Sequence, residues 1–397
     1  MSENDGSGYQ RVGIVPAENA ELTHVGIGTP MGEMLRRYWH PVCLSVELDD
    51  LPKKIRILGE ELVAFRDGSG RVGVMDLHCM HRGASLEYGR IEEDGLRCCY
   101  HGWKFDTEGH CLDQPGEPLG SDYKDKVRQA WYPAEERYGL VFAYMGPPDA
   151  KPMLPHYDTL EREGVELVAY RNYSRGVVAE CNWLQLQENA IDPAHTYVLH
   201  AWNPGLFEFT DAFGVRPEFD YVTRDTSVSY VRTAELPNGN QFIRTSQIFV
   251  PTARAVPPTQ VGGADPGSET ERSRMVGWWV PVDDTHTIGF HSEIIDSSRK
   301  MFQPMEKPTP RSYEETQRTP DDWEAQTSQR PIAVHDLEHL GVSDRGIVIF
   351  RRKLQEAVDA VREGRDPPGI ARQSTERMVE IASRNDVIPV GETTPAS

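Results

Sequence analysis

Two short segments of the chain each carry one cysteine and one histidine at close spacing. Cys79 and His81 are separated by one residue, and Cys98 and His101 by two. Each segment therefore offers one soft sulfur ligand and one nitrogen ligand. In a [2Fe–2S] cluster of mixed ligation, two thiolates hold one iron and two neutral imidazoles hold the other, so each loop must supply one of each. The spacing predicts such a cluster.

A tetrahedral zinc site is the alternative metal centre for two cysteines and two histidines. Structural zinc sites usually place the cysteine pair first and the histidine pair later, whereas here each segment is mixed, which favours the cluster. Only Cys98 has the Cys-x-x-His spacing to His101, so we interpret Cys99 as a neighbour that does not bind metal. His78 and Cys111 lie near the motif but off its spacing, and we interpret both as packing residues.

The two segments resemble the ligand loops of a known family. The run CMHRGASLEYGR, the following run CCYHGWKFD and the earlier run GTPMGEMLRRYWHPV are similar to stretches of the Rieske non-heme iron oxygenases. The resemblance is to the oxygenase (alpha) components of the phthalate dioxygenase-like and aromatic O-demethylase branch. That family often has Pro where this chain has Cys99. The resemblance implies that Cys79, His81, Cys98 and His101 bind a Rieske [2Fe–2S] cluster.

A second group of metal-binding residue types follows in the run ECNWLQLQENAIDPAHTYVLH. Asp192 and His195 share a helix face, but His195 and His200 are five residues apart and would diverge by roughly 140° on an ideal helix. The helix must therefore widen or end here for both imidazoles to reach one metal, as wide turns at functional sites often do. Two histidines and one carboxylate form the mononuclear Fe(II) arrangement. For an arbitrary pair at this spacing, helix histidines that contact their neighbours are the better interpretation.

The resemblance assigns roles to this second group. It implies that His195 and His200 bind the mononuclear iron and that Asp192 links the two metal centres. The family places the third ligand, a carboxylate, far downstream and shortly before a Pro-Ile dipeptide. Matching the run PDDWEAQTSQRPIAVHDLEHLGVSDRG residue by residue selects Asp322, with Asp321 as the alternative if the register slips by one.

The pattern of strands and helices indicates an α+β protein with two main parts. Short runs that alternate apolar and polar positions predict a β-rich Rieske domain over residues 41–150. Residues 1–40 are predicted to be an N-terminal segment with an amphipathic helix over residues 30–39. The resemblance implies that residues 151–397 form the mononuclear iron catalytic domain, a helix over an antiparallel sheet of the helix-grip type.

The resemblance also implies the partners and the reaction. Electrons from NAD(P)H would pass through a separate flavin and iron–sulfur reductase to the cluster, cross the Asp192 bridge to the iron, and reduce dioxygen beside a small aromatic substrate. The implied assembly is a homotrimer in which the cluster of one chain faces the iron of the next. The substrate would be a carboxylated or methoxylated arene, oxidised by ring hydroxylation or by O-demethylation.

Residues on predicted strands are candidates for the substrate pocket. Arg244, in the apolar run NQFIRTSQIFV, could pair with a substrate carboxylate, and an outward-pointing strand arginine is the alternative. His291 is a candidate substrate residue. Trp278, Trp279 and Phe290 could line the same cavity, although aromatic residues on strands are more often core.

The composition excludes several other functions. A net charge of −20 at pH 7 argues against nucleic acid binding and against adsorption to anionic membranes. No apolar run is long enough to span a bilayer, and the start MSENDGSGYQ lacks the layout of a signal peptide, so we expect a cytoplasmic protein with reduced cysteines. A Rieske electron carrier without a second iron is the alternative function, but it would leave roughly 250 residues without a role.

Overall fold

A computed structural model describes residues 16–171, 178–200, 211–258, 271–295, 311–375 and 378–389. The chain begins with two short helices, α1 (Ala20–Thr23) and α2 (Pro30–Leu35). The side chain of Thr29 caps α2 by accepting a hydrogen bond from the N–H of Gly32. The helix ends at Leu35, before the predicted residue 39, because Trp39 already belongs to a sheet.

The described part of the N-terminal lobe contains eleven short antiparallel strands. They are β1 (Trp39–Leu44), β2 (Lys53–Ile57), β3 (Glu60–Arg66), β4 (Val72–Asp76), β5 (Arg90–Glu92), β6 (Gly95–Arg97), β7 (Lys104–Phe105), β8 (Cys111–Asp113), β9 (Trp131–Tyr132), β10 (Ala134–Arg137) and β11 (Leu140–Tyr144). They form three sheets, with the orders β1-β11-β10, β2-β3-β4-β9 and β5-β6-β7-β8. One Cys-His segment follows β4, and the other joins β6 to β7.

One large antiparallel sheet dominates the C-terminal lobe. The strands described there are β12 (His156–Tyr157), β13 (Glu166–Arg171), β14 (Val178–Ala179), β15 (Glu218–Thr223), β16 (Ser227–Glu235), β17 (Asn240–Phe249), β18 (Ala253–Ala255), β19 (Glu271–Arg272), β20 (Met275–Asp283), β21 (His286–Ile295), β22 (Met378–Val379) and β23 (Arg384–Pro389). The large sheet has the order β13-β21-β20-β18-β17-β16-β15, with β14 on β21 and with β23 on β17 and β19. Strands β12 and β22 form a separate parallel pair.

Four α-helices lie in the described part of this lobe. They are α3 (Trp183–Ile191), α4 (Tyr313–Arg318), α5 (Asp322–Thr327) and α6 (Arg345–Arg362). Helix α3 contacts β16, β17 and β20 of the sheet, and also α5 and α6. Short 3-10 turns occur at Ser45–Glu47, Leu86–Tyr88, Tyr123–Lys126, Pro148–Ala150, Asp211–Gly214, His335–Leu337 and Val342–Asp344. None of the helices in the described ranges combines the length and the apolar character needed to cross a bilayer.

A shared apolar core joins the two lobes. Trp278 of β20 lies edge-on to Phe142 of β11 and to Tyr157 of β12, and the ring centroids are 5.6 Å apart in both pairs. The predicted α+β class, a β-rich part followed by a helix over an antiparallel sheet, is confirmed. The boundaries that place the two domains at 41–150 and 151–397 stay predictions.

We expect Trp278→Ala to lower the free energy of unfolding by about 3–5 kcal/mol, because it removes a large side chain from a filled core. Trp278 is 2% exposed, whereas Tyr313 of α4 is 78% exposed, so Tyr313→Ala should change the same free energy by less than about 0.5 kcal/mol. Urea unfolding followed by circular dichroism measures both. Equal losses of unfolding free energy in the two variants would contradict a large contribution of this shared core to stability.

Candidate active site

Two loops of similar geometry carry the Cys-His pairs. In the first loop the N–H of Gly83 donates to the carbonyl of Cys79 at 2.8 Å, and in the second the N–H of Gly102 donates to the carbonyl of Cys98 at 3.1 Å. Gly83 and Gly102 have φ angles of 73° and 74°, in the left-handed region that glycine adopts without strain. Each loop therefore folds back tightly on its cysteine.

The four predicted cluster residues lie together in these loops. The ring centroids of His81 and His101 are 4.6 Å apart, and the buried thiols of Cys79 and Cys98 share a hydrogen bond that raises the pKa of Cys79 and lowers the pKa of Cys98 to about 5. The shared hydrogen bond therefore favours ionisation of the Cys98 thiol over that of Cys79. Trp103 stacks on His81 with the ring centroids 4.4 Å apart. Two sulfurs and two imidazoles in one place fit a [2Fe–2S] cluster of mixed ligation.

Side chains outside the motif hold both loops in place. The buried amide of Gln129 donates to the carbonyl of His78 at 2.9 Å and accepts from the N–H of Met80 at 2.8 Å. Arg97 donates to the carbonyl of Gly102 at 2.5 Å. Neither residue could be recognised from the sequence, because the spacing of the ligands does not mark it. These hydrogen bonds hold the backbone of both loops.

The second predicted group lies just beyond the end of α3. The helix ends at Ile191, and Thr196–His200 form one π-helical turn. This wide turn brings the rings of His195 and His200 to a centroid separation of 5.3 Å, so the predicted widening is confirmed. The Oδ1 atom of Asp322 lies 3.3 Å from Nε2 of His200 and 3.7 Å from Nε2 of His195. The three residues offer ligand atoms that all lie within 4.8 Å of one another.

The two neighbouring aspartates have different partners. Asp321 is the N-cap of α5, and its side chain accepts the N–H of Trp323 at 2.9 Å. Glu324 completes a capping box by accepting the N–H of Asp321 at 3.0 Å. Asp322 is the first residue of the helix and faces the histidines. The structure therefore brings Asp322, and not Asp321, to the two imidazoles.

Asp322 is ionised in its folded environment. Burial opposes its ionisation, but the hydrogen bond with His200 and the charge of His195 outweigh burial and hold the pKa of Asp322 well below its usual range. Asn189 of α3 also donates to Asp322 Oδ1 at 3.2 Å. The group thus consists of two imidazoles and one carboxylate anion, which is the donor set that suits a mononuclear non-heme iron.

Asp192 directly follows α3 and supports the next turn. Its Oδ1 accepts the N–H of Ala194 at 2.7 Å, and its Oδ2 accepts the N–H of His195 at 3.2 Å and lies 3.4 Å from Nδ1 of the same histidine. Burial opposes ionisation, but the contacts with His195 and Ala194 lower the pKa of Asp192. Within the described chain, the hydrogen bonds of Asp192 stay in this turn and do not reach His81 or His101.

The whole chain, and not only its cluster region, is similar to known proteins. The Rieske [2Fe-2S] domain profile matches residues 38–124. The chain is 42% identical to the phenoxybenzoate dioxygenase subunit alpha of Ectopseudomonas oleovorans, over 97% of this chain and 95% of that protein. The chain belongs to the Rieske oxygenases. It is also 42% identical to the tert-butanol monooxygenase / tert-amyl alcohol desaturase oxygenase subunit of Aquincola tertiaricarbonis, over 92% of this chain and 81% of that protein.

A solved structure shows the same fold as this Rieske oxygenase. NdmA of Pseudomonas putida CBB5 with caffeine superposes with a TM-score of 0.64, at 21% identity, over 84% of this chain and 94% of that one. The chain is thus an oxygenase subunit with a [2Fe–2S] cluster and a mononuclear iron, and it works with a reductase and dioxygen. The alternative of an electron carrier without a second iron is wrong, because the similarity extends through the catalytic lobe.

An arginine that the sequence analysis missed lies beside the candidate iron site of the Rieske oxygenase. Arg254 of β18 is close enough to Asp322 for their charges to interact, and its guanidinium carbon lies 3.9 Å from the ring centroid of Trp279. Trp279 belongs to a small apolar cluster against which Trp323, the neighbour of Asp322, packs. Burial lowers the pKa of Arg254 to about 10, so the side chain is a cation at neutral pH.

Two hydrogen-bond donors near Arg254 have no acceptor within the described part of the chain. Arg254 donates to Nε2 of His291 at 2.9 Å, so the proton of the neutral imidazole is on Nδ1. Burial and the charge of Arg254 hold the pKa of His291 well below its usual value, which keeps the ring neutral. Among the described residues, Nδ1 of His291 and Nε1 of Trp279 are buried without a partner. A cation and two unpaired donors suit an anionic ligand.

A glycine makes the contact between Arg254 and His291 possible. Gly277 of β20 pairs with Arg254 on one neighbouring strand and with His291 on the other. A Cβ atom at this position would lie 2.7 Å from Cδ2 of His291 and 3.5 Å from Nε of Arg254. The two side chains meet across β20 because the strand between them has no side chain there.

The other predicted pocket residues lie elsewhere. Arg244 is buried, and it donates to the carbonyls of Pro257 and Pro258 at 2.8 Å and to Oδ1 of Asn385 at 3.0 Å. The structure thus uses Arg244 to hold a backbone segment and does not bring it to the candidate iron site. Trp278 and Phe290 belong to the core that joins the lobes and do not line the region around Arg254.

Proposed function

We propose that His195, His200 and Asp322 hold the mononuclear iron of this oxygenase. The observation that carries the proposal is that their ligand atoms lie within 4.8 Å of one another. Asp322 is already an anion at neutral pH, so it loses no proton when a metal binds. When bound, the iron activates dioxygen next to the substrate with electrons from the cluster. The cluster ligands in this proposal are Cys79, His81, Cys98 and His101.

We propose that Asp192 carries the electronic link between the two metal centres. The ionised carboxylate has one oxygen 3.4 Å from Nδ1 of His195, and its remaining lone pairs can accept a hydrogen bond from a cluster histidine of a neighbouring subunit. A homotrimer in which clusters face the iron sites of neighbours would provide that histidine. Met80 and Tyr100, which adjoin the cluster histidines, are exposed apolar residues, as a protein contact requires.

The electron donor and the cellular location complete this part of the proposal. We infer that an NAD(P)H-dependent flavin and iron–sulfur reductase delivers electrons to the cluster, and that the protein works in the cytoplasm. The cluster loops lie on the N-terminal lobe with their histidines next to exposed side chains, so a redox partner can approach them closely.

We propose a carboxylated arene as the substrate. One relative is named for phenoxybenzoate, a carboxylated arene, and another for tert-butanol, a neutral alcohol. The buried charge of Arg254 favours the first kind, because a carboxylate can form bidentate charge-assisted hydrogen bonds with the guanidinium and a neutral alcohol cannot. His291 Nδ1 and Trp279 Nε1 offer further hydrogen bonds to a carboxylate. Oxidation of the ring and O-demethylation of a methoxy group would both use this site.

We expect Asp322→Ala to lose the mononuclear iron and all turnover, while the visible spectrum of the Rieske cluster is retained. Asp321→Ala should keep the iron and lower the free energy of unfolding by about 1 kcal/mol, because Asp321 caps a helix and pairs with Arg311 but does not face the two histidines. Iron and acid-labile sulfide analysis, with an EPR spectrum of the reduced protein, measures both metal sites. Iron loss in Asp321→Ala with retention in Asp322→Ala would contradict the assignment.

We expect Asp192→Asn to keep near-parental cluster and iron contents but to slow electron delivery from the reduced cluster by tenfold or more. The amide keeps the size of the side chain but removes the charge and one acceptor oxygen. Rapid mixing of the reduced protein with substrate and oxygen measures the delivery rate. A variant that melts earlier but delivers electrons at the parental rate would remove Asp192 from the electron path.

We expect Arg254→Met to raise KM for 3-phenoxybenzoate by about 10–100-fold, because a hydrogen bond to a charged group contributes about 1.5–3 kcal/mol. The uncharged 3-phenoxybenzamide is the matched control ligand, and its KM should change by less than about threefold. Arg254→Lys should recover part of the affinity, since it keeps the charge but not the planar fork. Equal losses for acid and amide would show that Arg254 does not recognise a carboxylate.

A further inference from the structure

Two buried glutamines of α3 point in opposite directions. Gln185 and Gln187 are two residues apart and both are almost completely buried. On a helix, two residues at this spacing are rotated by about 200° around the helix axis, so their side chains lie on nearly opposite faces. A buried amide needs hydrogen-bond partners. The partners of the two glutamines therefore show which segments α3 positions on each of its two faces.

Gln185 contacts the segment that contains α5 and its continuation. Its Nε2 donates to the carbonyl of Gln326 at 3.0 Å and to that of Arg330 at 3.1 Å, and its Oε1 accepts the N–H of Ala333 at 2.9 Å. Gln326 lies on α5, the helix that begins with Asp322. Arg330 has a φ of 83°, which is unusual for a residue other than glycine. Gln185 therefore fixes the segment that carries the carboxylate of the iron site.

Gln187 contacts the bend between β17 and β18. Its Nε2 faces the carbonyls of Phe249, Pro251 and Ala253 at 3.5, 3.3 and 3.1 Å. Three acceptors around one nitrogen leave only one orientation for the amide. Ala253 directly precedes Arg254. Gln187 therefore fixes the backbone from which the buried cation emerges.

We propose that Gln185 and Gln187 are two separate positioning residues of the active site. Gln185 sets the place of the iron-binding carboxylate, and Gln187 sets the place of the arginine that meets the substrate. The inference rests on the proposed roles of Asp322 and Arg254. Neither glutamine is one of the proposed metal ligands or substrate contacts. If this is right, metal affinity and substrate affinity depend on different residues of one helix, whereas a general stabilising role would lower both affinities together.

The test compares three methionine variants, Gln185→Met, Gln187→Met and Gln247→Met. Methionine keeps most of the side-chain volume but makes none of the amide hydrogen bonds. Gln247 of β17 is a matched control, because it is equally buried and donates to Oγ of Ser227 at 3.0 Å and accepts from Ala382 at 2.8 Å. Each protein is titrated with Co(II) after removal of the mononuclear iron, and with 3-phenoxybenzoate in its iron-loaded form.

We expect Gln185→Met to weaken Co(II) binding by about tenfold or more, the size typical of groups that orient a metal ligand, and to change the affinity for 3-phenoxybenzoate by less than about twofold. Gln187→Met should show the reverse pattern. Gln247→Met should change neither affinity by more than about twofold. Absorption of the bound cobalt reports the first affinity, and titration calorimetry reports the second.

Parallel loss of both affinities in Gln185→Met or Gln187→Met, or the same losses in Gln247→Met, would overturn the inference. If a methionine variant lacks the spectrum of the Rieske cluster, Gln185→Asn and Gln187→Asn give the same comparison, because they keep the amide but withdraw it by one methylene. The proposed function fails separately, and in other variants. It fails if Asp322→Ala binds Co(II) like the parent or if Arg254→Met binds 3-phenoxybenzoate like the parent.

Discussion

Two histidines five residues apart can reach one metal only if the chain between them is wider than an ordinary helical turn. The π-helical turn Thr196–His200 meets this requirement, but a wide turn disrupts the regular pattern of backbone hydrogen bonds. Asp192 accepts two of the N–H groups at its start, and Oγ of Thr196 donates to the carbonyl of Pro193 at 2.7 Å. The carboxylate proposed to carry electrons therefore also supports the backbone that brings the imidazoles together.

Polar contacts with fixed directions determine where α3 lies on the sheet. An apolar helix face can shift on a sheet with little change in buried area, whereas a buried amide or ion pair has its partners in one position only. Arg351 of α6 donates to both carboxylate oxygens of Glu188 and also pairs with Glu338. Asn182 at the other end of α3 donates to the carbonyl of Thr23 at 2.9 Å. Buried ion pairs contribute little net stability, so their effect here is on the position of the helix.

The sequence predicted those parts of the site that depend on local spacing. The Cys-His loops and the histidine pair are of this kind. The sequence also contains a signal that distinguishes Asp321 from Asp322. Asp321 is followed three residues later by Glu324, and this pattern predicts a capping box in which the Asp321 carboxylate binds backbone N–H groups and not a metal. The sequence did not indicate Arg254, because Arg244 and Arg254 both lie on strands and only the fold shows that Arg244 meets backbone carbonyls and that Arg254 lies near Asp322.

The glycine between Arg254 and His291 links positions that are far apart in the chain. Arg254, Gly277 and His291 form one row across β18, β20 and β21, and a side chain in the middle of the row would push its ends apart. A Cβ atom at position 277 would clash with the imidazole of His291 and make only an ordinary contact with Arg254, so a descendant that lost His291 would be free to fill position 277, whereas one that kept it would not. We therefore expect positions 277 and 291 to change together during evolution.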